Sequence, residues 1–245
     1  MTAMKHKTAL FASAFFLLFA LATPAFAQHP MPPRPAQERI ARVQYISGEV
    51  STAPEATNQW STARLNQNLV APQYIWTGKE SRTEINVGDG FIRMNSEASV
   101  TLTTINRSTV RIGLNQGEVS LTVPHLFPGE IYEIDTPNAT LTVTKSGTYL
   151  VQVHPEQDRT AVTARRGAIV ATGSGSAVTV DSGKQVVFLD RQSLQHTVMN
   201  APPKSGFEDW AGVRDQRLGA SRPPFVFGFG PWPYGPPPPP PVWVR

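Results

Sequence analysis

Two carboxylates on one short stretch are the first residues in this chain that could do chemistry. Glu133 and Asp135 alternate within Ile131-Tyr-Glu-Ile-Asp135, so a strand would set both on one face, roughly 6–7 Å apart. Such a pair can act as acid and base on a glycosidic bond. The plainer reading is a solvated strand face, with Asp135-Thr-Pro137 shaping a turn in which the carboxylate accepts from backbone amides. Four histidines lie beyond residue 27, namely His29, His125, His154 and His196, and none stands in an H-E-x-x-H or other metal spacing. Gly173-Ser-Gly-Ser176 lacks the frame of a nucleophile elbow and reads as a hairpin turn. Gly88-Asp-Gly90 and Asp181-Ser-Gly183 resemble fragments of calcium loops without the ordered ligand series such loops need. There is no cysteine, which removes thiol catalysis, redox sensing and cysteine–zinc sites. The expectation is no catalytic residue, no metal and no cofactor.

The other candidates are binding residues at the C-terminus. Phe225, Phe227, Phe229, Trp232, Tyr234 and Trp243 are interleaved with prolines, including a run from Pro236 to Pro241. The prolines enforce a polyproline II backbone that builds no core. Exposing these rings costs about 25 cal/mol per Å² of apolar area. They therefore meet a partner, fold back on the domain before them, or stay solvated at that cost.

The elements between are strands. Apolar residues fall at every second position in Val110, Ile112, Leu114; Val119, Leu121, Val123; Leu141, Val143; and Tyr149, Val151, Val153, which is strand periodicity with one buried face. Gly48-Glu-Val50, Gly117-Glu-Val119 and Gly167-Ala-Ile169 each follow one apolar strand and open another. Ser146-Gly147 and Ser182-Gly183 recur in a similar place. This irregular self-similarity predicts an all-β fold, a twisted two-sheet sandwich with β-helix-like coils. Leu69, Tyr74, Ile75 and Trp76 read as packing residues. After Asp190 the alternation stops. Ser205-x-x-Glu208 forms a capping box, and Phe207, Trp210, Ala211 and Leu218 recur at helical spacing before Gly219, predicting one short helix docked by Phe207 and Trp210.

Residues 1–27 read as a signal peptide. Lys5 and Lys7 precede an apolar run from Thr8 to Leu21, and Ala25-Phe-Ala27 is a small-x-small cleavage site before Gln28. The run is too short to span about 30 Å of hydrocarbon, so no membrane span is expected after cleavage. The organisation is then a signal peptide at 1–27, a proline-rich spacer at 28–39, a β domain at 40–190, a linker and helix at 191–219, and a proline- and aromatic-rich tail at 220–245. The formal net charge of +4 falls to +2 when Lys5 and Lys7 leave. No basic run marks a phosphate-reading surface, which argues against nucleic acid as a partner.

The motifs also resemble a known family. Gly117-Glu-Val119, Glu133-Ile-Asp-Thr-Pro-Asn-Ala139, Gly147-Thr-Tyr149 and Arg165-Arg-Gly-Ala-Ile169 follow the order and spacing of the FecR domain family, in a match running from about Arg42 to Asp190. The segment Phe207-Glu-Asp-Trp-Ala211 with Arg214-Asp-Gln-Arg217 is similar to the helix after the FecR domain in exported proteins with aromatic, proline-rich tails. The resemblance implies a β domain at the cell envelope. The best-known members of the family sense siderophore uptake and signal to a sigma factor through a cytoplasmic helical domain and a transmembrane helix. Here a signal peptide stands in that place, so direct signalling across the inner membrane is not expected.

Together these point to an exported, non-enzymatic periplasmic or envelope module that binds a protein or a glycan. A structural or export-bridge protein that pairs by strand addition is one alternative. An enzyme acting on envelope polysaccharide through Glu133 and Asp135 is the other.

Overall fold

The structure, a computed structural model, describes residues 39–190 and 194–221, with side chains as far as Arg217. The expected signal peptide, nearly all of the proline-rich spacer and the tail aromatics lie outside the described residues. The described residues are mostly β with one α-helix. The strands run β1 (Ala41–Ser47), β2 (Val50–Pro54), β3 (Ser61–Thr62), β4 (Asn68–Leu69), β5 (Gln73–Thr77), β6 (Arg82–Val87), β7 (Gly90–Met94) and β8 (Ser99–Ile105). They continue as β9 (Thr109–Val123), β10 (Ile131–Asp135), β11 (Thr140–His154), β12 (Arg159–Gly173), β13 (Ser176–Asp181), β14 (Lys184–Phe188) and β15 (His196–Asn200). The helix α1 covers Gly206–Ser221.

All fifteen strands join one mixed sheet, which three long strands fold into two layers. Each of β9, β11 and β12 is 15 residues long and changes neighbours partway along. In β9, Phe91 to Met94 of β7 pair with Thr122 to Val119, whereas β8 and the parallel strand β10 pair with the half before Gly117. The first layer is ordered β4-β1-β6-β7-β9-β11-β12-β14-β15. The second is ordered β3-β2-β5-β8-β9-β10-β11-β12-β13. Apolar residues of both, such as Ile85, Ile92, Val119 and Val151 from the first and Ile75, Leu102, Ile112 and Leu141 from the second, form one core.

The corners explain the recurring glycine units. Gly117 has φ +88°, and a Cβ there would lie 2.5 Å from the Cα of Ala98, so only glycine lets β9 turn between layers. At the matching bend of β12, Gly167 has φ +83°, and a Cβ would stand 2.2 Å from the hydroxyl of Tyr149. That hydroxyl donates to the carbonyl of Lys145 and accepts from the amide of Ala168 at 3.0 Å. It ties the bends of β11 and β12 together, and burial pushes its pKa up to about 12.

Two elements differ from the sequence reading. The sheet continues past Asp190, because β15 pairs with β14 from His196 opposite Phe188 to Asn200 opposite Lys184. Its residues are all exposed, so there is no buried face to impose an alternating pattern. The helix is also longer than expected, at 16 residues. Its capping box is formed as read: the amide of Glu208 donates to Ser205 Oγ at 3.3 Å, and the amide of Ser205 donates to Glu208 Oε2 at 3.0 Å. Gly173-Ser-Gly-Ser176 is the β12–β13 turn, with positive φ at Ser174 and Gly175.

Candidate functional site

The outward faces of the two layers are built differently, and the first is covered. Outward residues of β6, β7 and β9 include Glu84, Arg93, Ser120 and Thr122, all buried because α1 lies over them. Arg93 Nε donates to Glu84 Oε2 at 2.7 Å, with both side chains fully buried. Its other nitrogens reach Thr122 at 3.1 Å and Asp215 of the helix at 2.8 Å. Arg214 of the helix completes the cluster with two 2.8 Å bonds to Glu84. Burial would raise the Glu84 carboxyl, but its bonds to Arg214 and Arg93 outweigh that and hold it below the ordinary range. Phe207 is buried as expected. Trp210 packs at 5.3 Å from the ring of Tyr45 and 5.7 Å from that of Phe207. Arg165 fixes the start of the helix by a bidentate pair with Glu208 at 2.6 and 2.7 Å. A cleft of about 390 Å³ remains between helix and sheet, walled by Arg166, Lys204 and Gly212. This face is a docking joint made mostly of charge. Alternation could not announce it, since a salt bridge across 130 positions leaves no local signal.

The second layer is open. Along β5, Gln73, Ile75 and Thr77 point inward and are buried, while Tyr74 and Trp76 point outward and are half-buried. Tyr74 and Trp76 therefore do not join the core as the sequence suggested; only Leu69 and Ile75 do. Trp60 is 50% exposed and lies nearly parallel to Tyr74, 6.3 Å between centroids and 20° between planes. The Tyr74 hydroxyl donates to Glu55 at 3.1 Å, and that bond, with burial, raises its pKa. In register, Tyr74 faces Ala53 on one side and Thr101 on the other. Trp76 faces Ser51 and Ser99. Small neighbours leave both rings standing above the sheet.

The row continues from Thr101 to Gly113, Asp135, Thr140 and Thr172. Here the two sequence-predicted carboxylates are brought together, on one face as expected, but Arg111 of the adjacent parallel strand occupies them. Arg111 donates to Asp135 at 2.6 and 3.1 Å and lies 3.6 Å from Glu133. Thr140 and Thr142 add bonds to Asp135 and Glu133. Burial would raise the Asp135 carboxyl, yet the bonds from Arg111 and Thr140 prevail and keep it below the usual range. The expected bonds from Asp135 to backbone amides are not the ones formed. Thr136 makes the turn instead, its hydroxyl donating to the Ala139 carbonyl at 2.8 Å and accepting from the Ala139 amide at 3.1 Å. A parallel neighbour 24 positions away took the carboxylate, which strand spacing alone could not reveal.

Elsewhere, among the described residues, no three His, Cys, Asp or Glu side chains converge to hold a metal. His125 and His196 are exposed, and His154 lies 3.9 Å from Glu156. Glu118 is the other perturbed carboxyl. Burial raises it, helped by the charge of Glu208, against bonds from Asn95 at 2.7 Å and Gln152 at 3.1 Å. Among the described residues no helix is long and apolar enough to cross a membrane.

Comparison with known proteins matches residues 73–170 to the FecR protein family. That span holds Tyr74, Trp76, Arg111 and both carboxylates; Trp60 and α1 lie outside it. Two crystal structures, both provisionally described as an anti-sigma factor from Parabacteroides distasonis, align at 16% identity and a TM-score of 0.46. Each alignment covers 52% of this chain and 59% of the other, so the chain spans about three fifths of their length. No curated protein matches the chain. Residues 73–170 of this chain are a FecR domain.

Proposed function

We propose that this chain is an exported, non-enzymatic FecR-like module that binds a protein or glycan partner of the cell envelope. The observation that supports it best is the open face of the second layer, where rings and hydrogen-bonding groups are held in place yet left uncovered. An acid for glycoside cleavage needs a raised pKa. Asp135 has the reverse, held there by its bonds to Arg111 and Thr140. The tail aromatics Phe225, Phe227, Phe229, Trp232, Tyr234 and Trp243 are the second binding element of this reading.

Crosslinking the chain in envelopes and recovering it, with and without residues 220–245, tests the proposal. Specific partners should be captured, and fewer without the tail. Turnover of an envelope polysaccharide by the purified chain, abolished in the Glu133→Gln, Asp135→Asn double variant, would replace this reading with the enzymatic one.

A second reading, strand addition, has one observation in its favour. The edge strand β15 exposes all five residues, among them Val198 at 54% and Met199 at 43%. A proline at Val198 should abolish assembly if that edge recruits a partner strand.

A further inference from the structure

We infer that the outward face of the second layer is a carbohydrate-binding surface for a neutral glycan, with Trp60, Tyr74 and Trp76 as its stacking platform. The inference rests on the binding-module reading and names the ligand class and the surface.

Three features of the face favour sugar over protein. The first is ring geometry. Trp60 and Tyr74 lie 20° from parallel, and Tyr74 and Trp76 stand two residues apart on β5, roughly 6–7 Å along the strand. Trp60, half in solvent and stacked on Tyr74 with Trp76 next along the strand, offers a ring face onto which the C–H face of a sugar can stack. Tyr74 is held at its far end by Glu55. The small partners Ser51, Ser99 and Thr101, each partly exposed, leave room beside the rings.

The second is the hydrogen-bonding supply beside the rings. Thr101, Arg111, Asp135, Thr140 and Thr172 continue the same surface across five strands, which lie about 4.8 Å apart. They offer donors and acceptors in alternation, the pattern that hydroxyl groups both give and take. The mutual bonds of Arg111 and Asp135 fix their directions before any ligand arrives, which lowers the cost of ordering them. A protein interface would instead centre on a desolvated apolar cluster, and beside Trp60 this row offers threonines and an ion pair.

The third is charge. Glu55, Glu133 and Asp135 outnumber Arg111, and that arginine is already bonded to Asp135. The surface therefore repels anionic polymers and has no free cation in these rows to attract them.

The test is affinity electrophoresis of the full chain in gels containing laminarin, dextran, xylan or chitin oligosaccharides, with alginate as the anionic comparison. At least one neutral glycan should retard the chain, and alginate should not. Trp60→Ala and Tyr74→Ala should each weaken retardation roughly tenfold, the scale of one lost aromatic contact. Trp60→Ala should leave Tm unchanged, since that ring is half in solvent. Wild-type mobility unaffected by every neutral glycan, retardation by alginate, or retention undiminished in both variants would overturn the inference. Protein partners still captured from envelopes after such a result would leave the binding-module reading standing. Neither glycan nor protein captured would remove both.

Discussion

Glu84 and Glu118 stand on the same face of the same layer, and their environments push them in opposite directions. Glu84 is fully buried between two guanidinium groups and held below the ordinary carboxylate range. Its stabilising contribution is complete above the unfolded-state pKa and is lost as pH falls through the folded one. Replacing it by Gln leaves Arg214 without its carboxylate partner and Arg93 with Asp215 alone, a loss of about 3–5 kcal/mol at neutral pH. Glu118 is raised, mainly by burial, so its charged form is what costs stability at neutral pH. That cost disappears as pH falls below the unfolded-state pKa. Glu118→Gln should therefore stabilise the chain at pH 7 and bring no gain at pH 4, while Glu84→Gln should destabilise it most at pH 7. Urea unfolding of both variants at the two pH values reads the difference. If Glu118→Gln lowers stability at pH 7, its bonds to Asn95 and Gln152 outweigh its burial. Neither role was legible in the sequence. Glu84 and Glu118 occupy ordinary outward positions in alternating strands, and what sets them apart is the helix arriving from more than 80 residues away.

At the scale of elements, the strands and their bends were legible and the coverings were not. Alternation located β9 and β11 because each has one face in the core, and the glycine units located the corners because no side chain fits there. Three of the four motifs that carried the family resemblance, those with Gly117, Gly147-Thr-Tyr149 and Gly167, mark those corners. They specify how strands pass between layers, and for that reason they identify a scaffold and say nothing of its ligand. Strand β15 escaped notice because its residues are all exposed. The helix and its docking residues Phe207 and Trp210 were found through the capping box and helical spacing, whereas the ion pairs of Arg214 and Asp215 gave no local signal. Trp210 packs on Tyr45 and Phe207 and lies beneath Arg82 and Arg214 at 5.6 Å each. Trp210→Ala should cost about 2–4 kcal/mol and raise amide exchange across β6 and β7, whose outward charges it helps to cover. Exchange unchanged in those strands would mean that α1 stays docked through its ion pairs alone.

At the scale of the molecule, among the described residues one layer is capped by a helix and the other is not, which separates stability from the binding we propose. The capped layer contains the buried charges and leads into the C-terminal segment. The open layer contains Trp60, Tyr74, Trp76 and the Arg111 row. The tail beyond Ser221 is the second binding element we propose, because its aromatics alternate with prolines, which limit the entropy lost when a segment orders on a partner. Aromatic side chains supply large apolar area with few rotatable bonds, the usual make-up of interface anchors. Deleting residues 222–245 should therefore leave Tm nearly unchanged, since the core, the charge cluster and the α1 contacts described above all lie before it. The same deletion should remove most partners captured from envelopes, and Trp232→Ala with Tyr234→Ala should reproduce much of that loss. Retardation by neutral glycans should persist in the deleted chain, because the open face lies wholly between residues 51 and 172. A drop of many degrees in Tm would place the tail rings on the β domain and end their assignment as partner-binding residues. Loss of glycan retardation with Tm intact would instead join tail and open face into one site.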